Sequence, residues 1–133
     1  MQLDHIGIAV RDLEQALAAY EAIGLKAGHR ERVESEEIEA CMIVLGESRL
    51  ELIAATSPTS VVHRFLERRG EGIHHIAIAV DDIEAALLEL RQRGLRVLDE
   101  VPRSGAGGSR VAFIHPSTMH GVLVELVQRE VSA

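Results

Sequence analysis

The chain has 133 residues, enough for one domain with a real core and too few for two large ones. Apolar residues make up 47% of it, but with two Phe, one Tyr and no Trp the core has to be aliphatic. A formal net charge of −7, with no basic stripe and no aromatic platform, argues against nucleic acid as a partner and gives anionic ligands no general steering.

Taken in chain order, HIGIAV from His5 reads as a short strand rich in branched residues, with Gly7 permitting close backbone approach. Asp12 is placed to cap a helix, with Gln15 three residues on, and Leu13, Ala16, Leu17 and Tyr20 form one apolar face at the 3.6 period. Gly24 supplies the stop. AGHRERV, IEACMIVLG and RLELIA follow as strands, the last two joined by a tight turn at Gly46, Glu47 and Ser48. SPTSVVHRFLERRG fits a linker helix capped by Ser57 or Ser60 and closed by Gly70.

Then the pattern starts again. Residues 5–25 laid over 75–95 without a gap match at eleven of twenty-one positions: His, Ile, Ile, Ala, Val, Asp, Glu, Ala, Leu, Gly and Leu. Asp82, the face Ile83, Ala86, Leu87 and Leu90, and Gly94 repeat the cap, the stripe and the stop. LRVLDEV, SRVAFIH and GVLVELV complete a second set of strands, with SGAGG and PSTMHG as turns. Each copy is therefore βαβββ. The expected fold class is α+β, with two tandem βαβββ modules forming a cupped, barrel-like mixed sheet with outer helices. A single domain over residues 1–133 would hold module one at about 1–56, the linker helix at about 57–70 and module two at about 71–130.

No stretch approaches the roughly 18 apolar residues of a membrane span, and no basic-then-apolar signal segment opens the chain. Cys41 is the only cysteine, which rules out an internal disulfide and suits a reducing, cytoplasmic setting, with no membrane partner. On an apolar strand, Cys41 reads as a small buried hydrophobe.

Strand alternation sorts the polar residues by face. In RLELIA, Leu50, Leu52 and Ala54 share one face and Glu51 takes the other; in GVLVELV, Val122, Val124 and Leu126 lie together with Glu125 opposite. A carboxylate inside an apolar strand is costly to bury without compensation of its charge. Each copy thus offers one such acid on a late strand and one His on its first strand. His5, Glu51, His75 and Glu125 make a pseudo-symmetric set suited to Co²⁺, Mn²⁺, Ni²⁺, Fe²⁺ or Zn²⁺, with coordination positions left for a chelating substrate. A closed structural zinc site would draw on thiolates, and one Cys cannot supply them. The plainer reading puts each Glu at a sheet rim and has each His satisfy a backbone carbonyl. Of the other histidines, His74 faces away from His75 and reads as structural. His29, His63 and His120 read as solvated, and His115 as a strand terminus.

These residues are the pattern of the vicinal oxygen chelate superfamily, the glyoxalase and extradiol dioxygenase fold of paired βαβββ units. Within it, RFLERRGEGIHHIAIAVDDIEAAL, GAGGSRVAFIHP and GVLVEL resemble the methylmalonyl-CoA epimerase family, and the resemblance runs from DHIGIAV to GVLVELVQ. It implies metal ligands at His5, Glu51, His75 and Glu125, with Co²⁺ first among Co²⁺, Mn²⁺, Ni²⁺ and Zn²⁺. It implies metal-dependent epimerisation of (2R)- and (2S)-methylmalonyl-CoA through an enolate. Glu125 would move a proton as well as ligate, and Glu39, or next Glu37, would serve the opposite face. An acyl-CoA substrate would meet Arg103, Ser109 and Arg110 in PRSGAGGSR, and the protein would be a homodimer. Two departures stand out: members carry a Pro-Glu-Gln/His-Gly-like turn where this chain has VESEEIEA, and a small residue where it has His120. The rival readings are a glyoxalase-type enzyme of the same fold and a metal-free small-molecule binding protein.

Overall fold

The computed structural model describes residues 1–130. In chain order its elements are β1 (Gln2–Ala9), α1 (Leu13–Ala22), β2 (Arg30–Val33), β3 (Ile38–Leu45), β4 (Ser48–Ala55), α2 (Val61–Arg69), β5 (Gly72–Ala79), α3 (Ile83–Gln92), β6 (Arg103–Ser104), β7 (Arg110–Ile114) and β8 (Val124–Gln128). They fall into two compact units, one of residues His5–His74 and the other of Met1–Asp4 with the residues from His75 onward. Both carry the expected βαβββ order. The linker helix α2 belongs with the first unit, and the first four residues belong with the second.

In the unit His5–His74 the strands lie in the order β2-β3-β4-β1, with β1 parallel to β4 and the other pairs antiparallel. Asp12 caps α1 by accepting from the Gln15 amide, as its position in the sequence demands. The helix lays Leu13 and Leu17 on Cys41, Ile43, Leu52 and Ala54. The opposite face of the sheet carries Ala9, Ala40 and Ile53, on which Val62 and Leu66 of α2 settle. Ser60, one of the two expected caps, accepts from the Val62 amide.

The second unit repeats this plan with β6-β7-β8-β5. Asp82 caps α3, whose Ile83 and Leu87 pack on Ala112, Ile114 and Leu126, while Ala77, Val111 and Val127 cluster on the other face. LRVLDEV is not the expected strand: Val97 makes one isolated bridge to Ile114, and the carboxylate of Asp99 takes the Phe113 amide in place of a ladder partner. Pro102 follows and removes another donor. Only Arg103–Ser104 pairs as a strand.

Both departures from the family pattern fall on strained backbone. Glu37 (φ 55°) and His120 (φ 54°) are the non-glycine residues of positive φ among the described residues. Gly105 is needed for a different reason: a Cβ there would sit 2.7 Å from Val111 Cγ1 and 2.8 Å from Ser109 Oγ. At the far end of β8, Arg129 makes a two-pronged pair with the buried carboxylate of Asp4, at 2.8 and 2.7 Å.

Candidate functional site

β1 runs beside β4 with His5 next to Arg49 and Gly7 next to Glu51, so all four share one face, opposite Ile8, Leu50 and Leu52. His5 Nε2 lies 3.6 Å from Glu51 Oε1. In the second unit Ala77 registers with Glu125, which puts His75 on the Glu125 face, and His75 Nε2 lies 3.8 Å from Glu125 Oε1. The two pairs are built alike, from the same strand positions of the two repeats, with Gly7 and Ala77 keeping the space beside each carboxylate small-sided. None of the four side-chain-bearing residues is more than 6% exposed.

Each pair has the donor chemistry of ligands to a divalent ion. The two separations exceed a hydrogen bond, whereas two donors each about 2.1 Å from one ion lie roughly 3 to 4 Å apart. His5, His75 and Glu125 are all buried ligand types. Around His75 the wall is aromatic: Phe113 registers with Glu125 and meets the imidazole edge-on at 5.6 Å. Arg103, on the same face through its pairing with Val111, stacks over the Phe113 ring at 5.7 Å while Asp99 holds its Nε at 3.1 Å. Neither Phe113 nor Arg49 was singled out from the sequence, although counting alternate residues from Glu125 and Glu51 across each hairpin would have found both.

Four of the expected site residues have local partners of their own. Glu39 registers with Ala54, on the α1 side of the sheet and not on the face of Glu51, and Arg30 binds its carboxylate at 2.6 Å. Arg30 also pairs with Glu14 of α1. Glu39 thus ties a strand to its helix. Glu37 accepts from the Thr59 hydroxyl at 2.7 and 2.8 Å, and those bonds hold its carboxyl below the usual range. Arg110 sits on the α3 side of β7, bound to Glu84. Ser109 is buried, and its hydroxyl donates to the Ala106 carbonyl at 2.8 Å, which closes the glycine turn.

A family model described as the Glyoxalase/Bleomycin resistance protein/Dioxygenase superfamily matches residues 4–113. The mitochondrial methylmalonyl-CoA epimerase of Bos taurus is 36% identical over 96% of this chain and 74% of its own length. This chain belongs to the methylmalonyl-CoA epimerase family of that superfamily. The Bacillus subtilis protein YqjC is 41% identical, over 96% of this chain and 91% of that one. Among solved structures, a variant Streptomyces coelicolor methylmalonyl-CoA epimerase in complex with 2-nitronate-propionyl-CoA matches with a TM-score of 0.95 and 38% identity, over 98% of this chain and 96% of the other. The α+β fold of two tandem βαβββ modules is the fold of this superfamily. No helix among the described residues is long and apolar enough to cross a membrane.

Proposed function

We propose that this chain interconverts (2R)- and (2S)-methylmalonyl-CoA, with His5, Glu51, His75 and Glu125 holding one divalent ion, Co²⁺ first and Mn²⁺, Ni²⁺ or Zn²⁺ after it. The observation that carries the reading is the pair of buried His–Glu contacts at 3.6 and 3.8 Å, set at equivalent places in the two repeats of an epimerase-family chain. When bound, the ion supplies a Lewis acid that steadies negative charge on a thioester enolate. The protein's own part is to place the acidic C2 hydrogen beside a proton acceptor, keep water away from the enolate, and return a proton to the other side. Phe113, stacked on His75 and shielded by Arg103, supplies an apolar wall for that purpose. Glu125 can carry a proton if one carboxylate oxygen is left outside coordination. A homodimer in a reducing cytoplasm belongs to the same reading; Cys41 is buried in β3, and burial pushes its thiol up.

The test is deuterium incorporation at C2 of methylmalonyl-CoA in D₂O, with and without added Co²⁺. Metal-stimulated exchange with net epimerisation is the expected result, and absence of both sinks the reading. A metal-free binding protein would bind the ester without exchange.

With a net charge of −7, the anionic substrate needs local cations, and Arg103 is the one of the two candidate arginines on the face of Glu125. Arg103→Ala should raise KM several-fold with a smaller change in kcat, because a contact alike in ground and transition states is lost from both. Arg110→Ala should leave KM near wild type, since that side chain serves Glu84. Steady-state kinetics on the two variants decides it, and the reverse pattern would move CoA to the α3 side of β7.

A further inference from the structure

In the unit His5–His74, the sheet face that carries His5 and Glu51 is shut at one end and open at the other, and an arginine stands at the open end. We propose that Arg49 receives the free carboxylate of the substrate and so selects CoA esters that carry a carboxylate on C2, an assignment that rests on the epimerase reading above.

The register leads there. Three rows cross β3, β4 and β1 on that face: Ala40, Ile53 and Ala9; then Met42, Glu51 and Gly7; then Val44, Arg49 and His5. Val62 and Leu66 of α2 pack on the first row, which is wholly buried, so that end is shut. The middle row is buried too. In the third row burial gives way, from buried His5 through half-buried Arg49 to Val44, which is 64% exposed. Within this unit, a ligand that reaches His5 and Glu51 along the face passes Arg49.

The backbone of Arg49 is one strand spacing, about 4.8 Å, from that of His5, and two residues, about 7 Å, from that of Glu51. Among the described residues on this face of β1, β3 and β4, it carries the only fixed positive charge. A guanidinium stays protonated at any working pH, and its parallel N–H donors match the two oxygens of a carboxylate.

Which anion it meets follows from the substrate. C2, the carbon that gives up its hydrogen, bears both the thioester carbonyl and the free carboxylate. An ester with C2 beside the His5–Glu51 pair therefore has its carboxylate within an arginine's reach of β4. The phosphates of CoA lie the whole pantetheine arm away. The pairing also serves the chemistry. A carboxylate on the carbon being deprotonated opposes the new negative charge, and a guanidinium held on it lowers that repulsion.

Wild type, Arg49→Met and Arg49→Lys are titrated calorimetrically in buffer containing Co²⁺. The probes are methylmalonyl-CoA as its equilibrated C2 epimers and propionyl-CoA, the same ester without the carboxylate. Equilibrated epimers undergo no net reaction, so the heats are those of binding. Wild type should bind methylmalonyl-CoA the more tightly of the two. In Arg49→Met that affinity should fall about 10- to 100-fold, the loss of charge-assisted hydrogen bonds, while propionyl-CoA binds as in wild type. Arg49→Lys should keep part of the preference, having the charge without the fork, and it decides by the same ratio if Arg49→Met melts below wild type. An unchanged preference in Arg49→Met overturns the assignment. Equal weakening of both esters overturns it too, because the lost contact then lies on a part they share, such as a phosphate. If wild type shows the preference and Arg49→Met loses it, yet wild type exchanges no C2 hydrogen in D₂O, Arg49 keeps its carboxylate and the epimerase reading alone falls. If wild type binds neither ester, both fall.

Discussion

On the proposed function, His75→Ala should keep its fold, fail to hold a divalent ion and lose roughly four orders of magnitude of C2 exchange. The size follows from the Lewis acid, which is worth several kcal/mol at a developing enolate when each 1.4 kcal/mol or so is a factor of ten. The fold survives because His75 faces away from the main core of its unit: Ile83, Leu87, Ala112, Ile114 and Leu126 all lie on the α3 side. Its edge-on contact with Phe113 contributes about 1 kcal/mol. Metal content after purification without chelator, exchange in D₂O and a thermal melt separate the possibilities. An unfolded variant would mark His75 as a core histidine, and wild-type exchange without metal would remove the ion from the chemistry.

Most of this site was open to strand arithmetic. A period of two and a recognisable repeat are enough to put His5 and Glu51 on one face of β1 and β4, and His75 and Glu125 on one face of β5 and β8, because those strands are regular through the residues concerned. The same arithmetic failed at Glu39 for want of a register. From IEACMIVLG alone Glu39 can be assigned to either face; only its pairing with Ala54 decides. Parity within the segment would still have linked Glu39 to Cys41 and Ile43, two residues of the helix-side core, and so counted against it. Arg110 misleads in the same way, since a strand whose flanking turn is full of glycine looks like a phosphate loop until Glu84 claims the guanidinium. LRVLDEV has the composition of a strand but lost its ladder to a side chain, Asp99, whose preference for the Phe113 amide no periodicity reveals.

The last expected result concerns acid stability. His74 sits one residue before His75 and faces the other way, edge-on to Phe65 at 4.9 Å, and burial pushes its imidazole down to about 4. The neutral ring is the form the fold accommodates, while in the unfolded chain the ring titrates near its ordinary value of about 6.5. Its contribution is therefore fully present above about pH 6.5, and it is lost as pH falls from there toward 4, where the unfolded state binds a proton that the folded state resists. A gap of that size corresponds to about 3 kcal/mol, enough to dominate the acid limb of a small domain. In His74→Leu that loss should vanish, so that wild type and variant, both stripped of metal with EDTA, differ by about 3 kcal/mol more at pH 4 than at pH 7 in urea unfolding. The metal-free comparison removes metal release from the difference, because neither protein then carries an ion. Parallel pH profiles for the two proteins would show that His74 titrates alike folded and unfolded, and would place the acid sensitivity in the carboxylates.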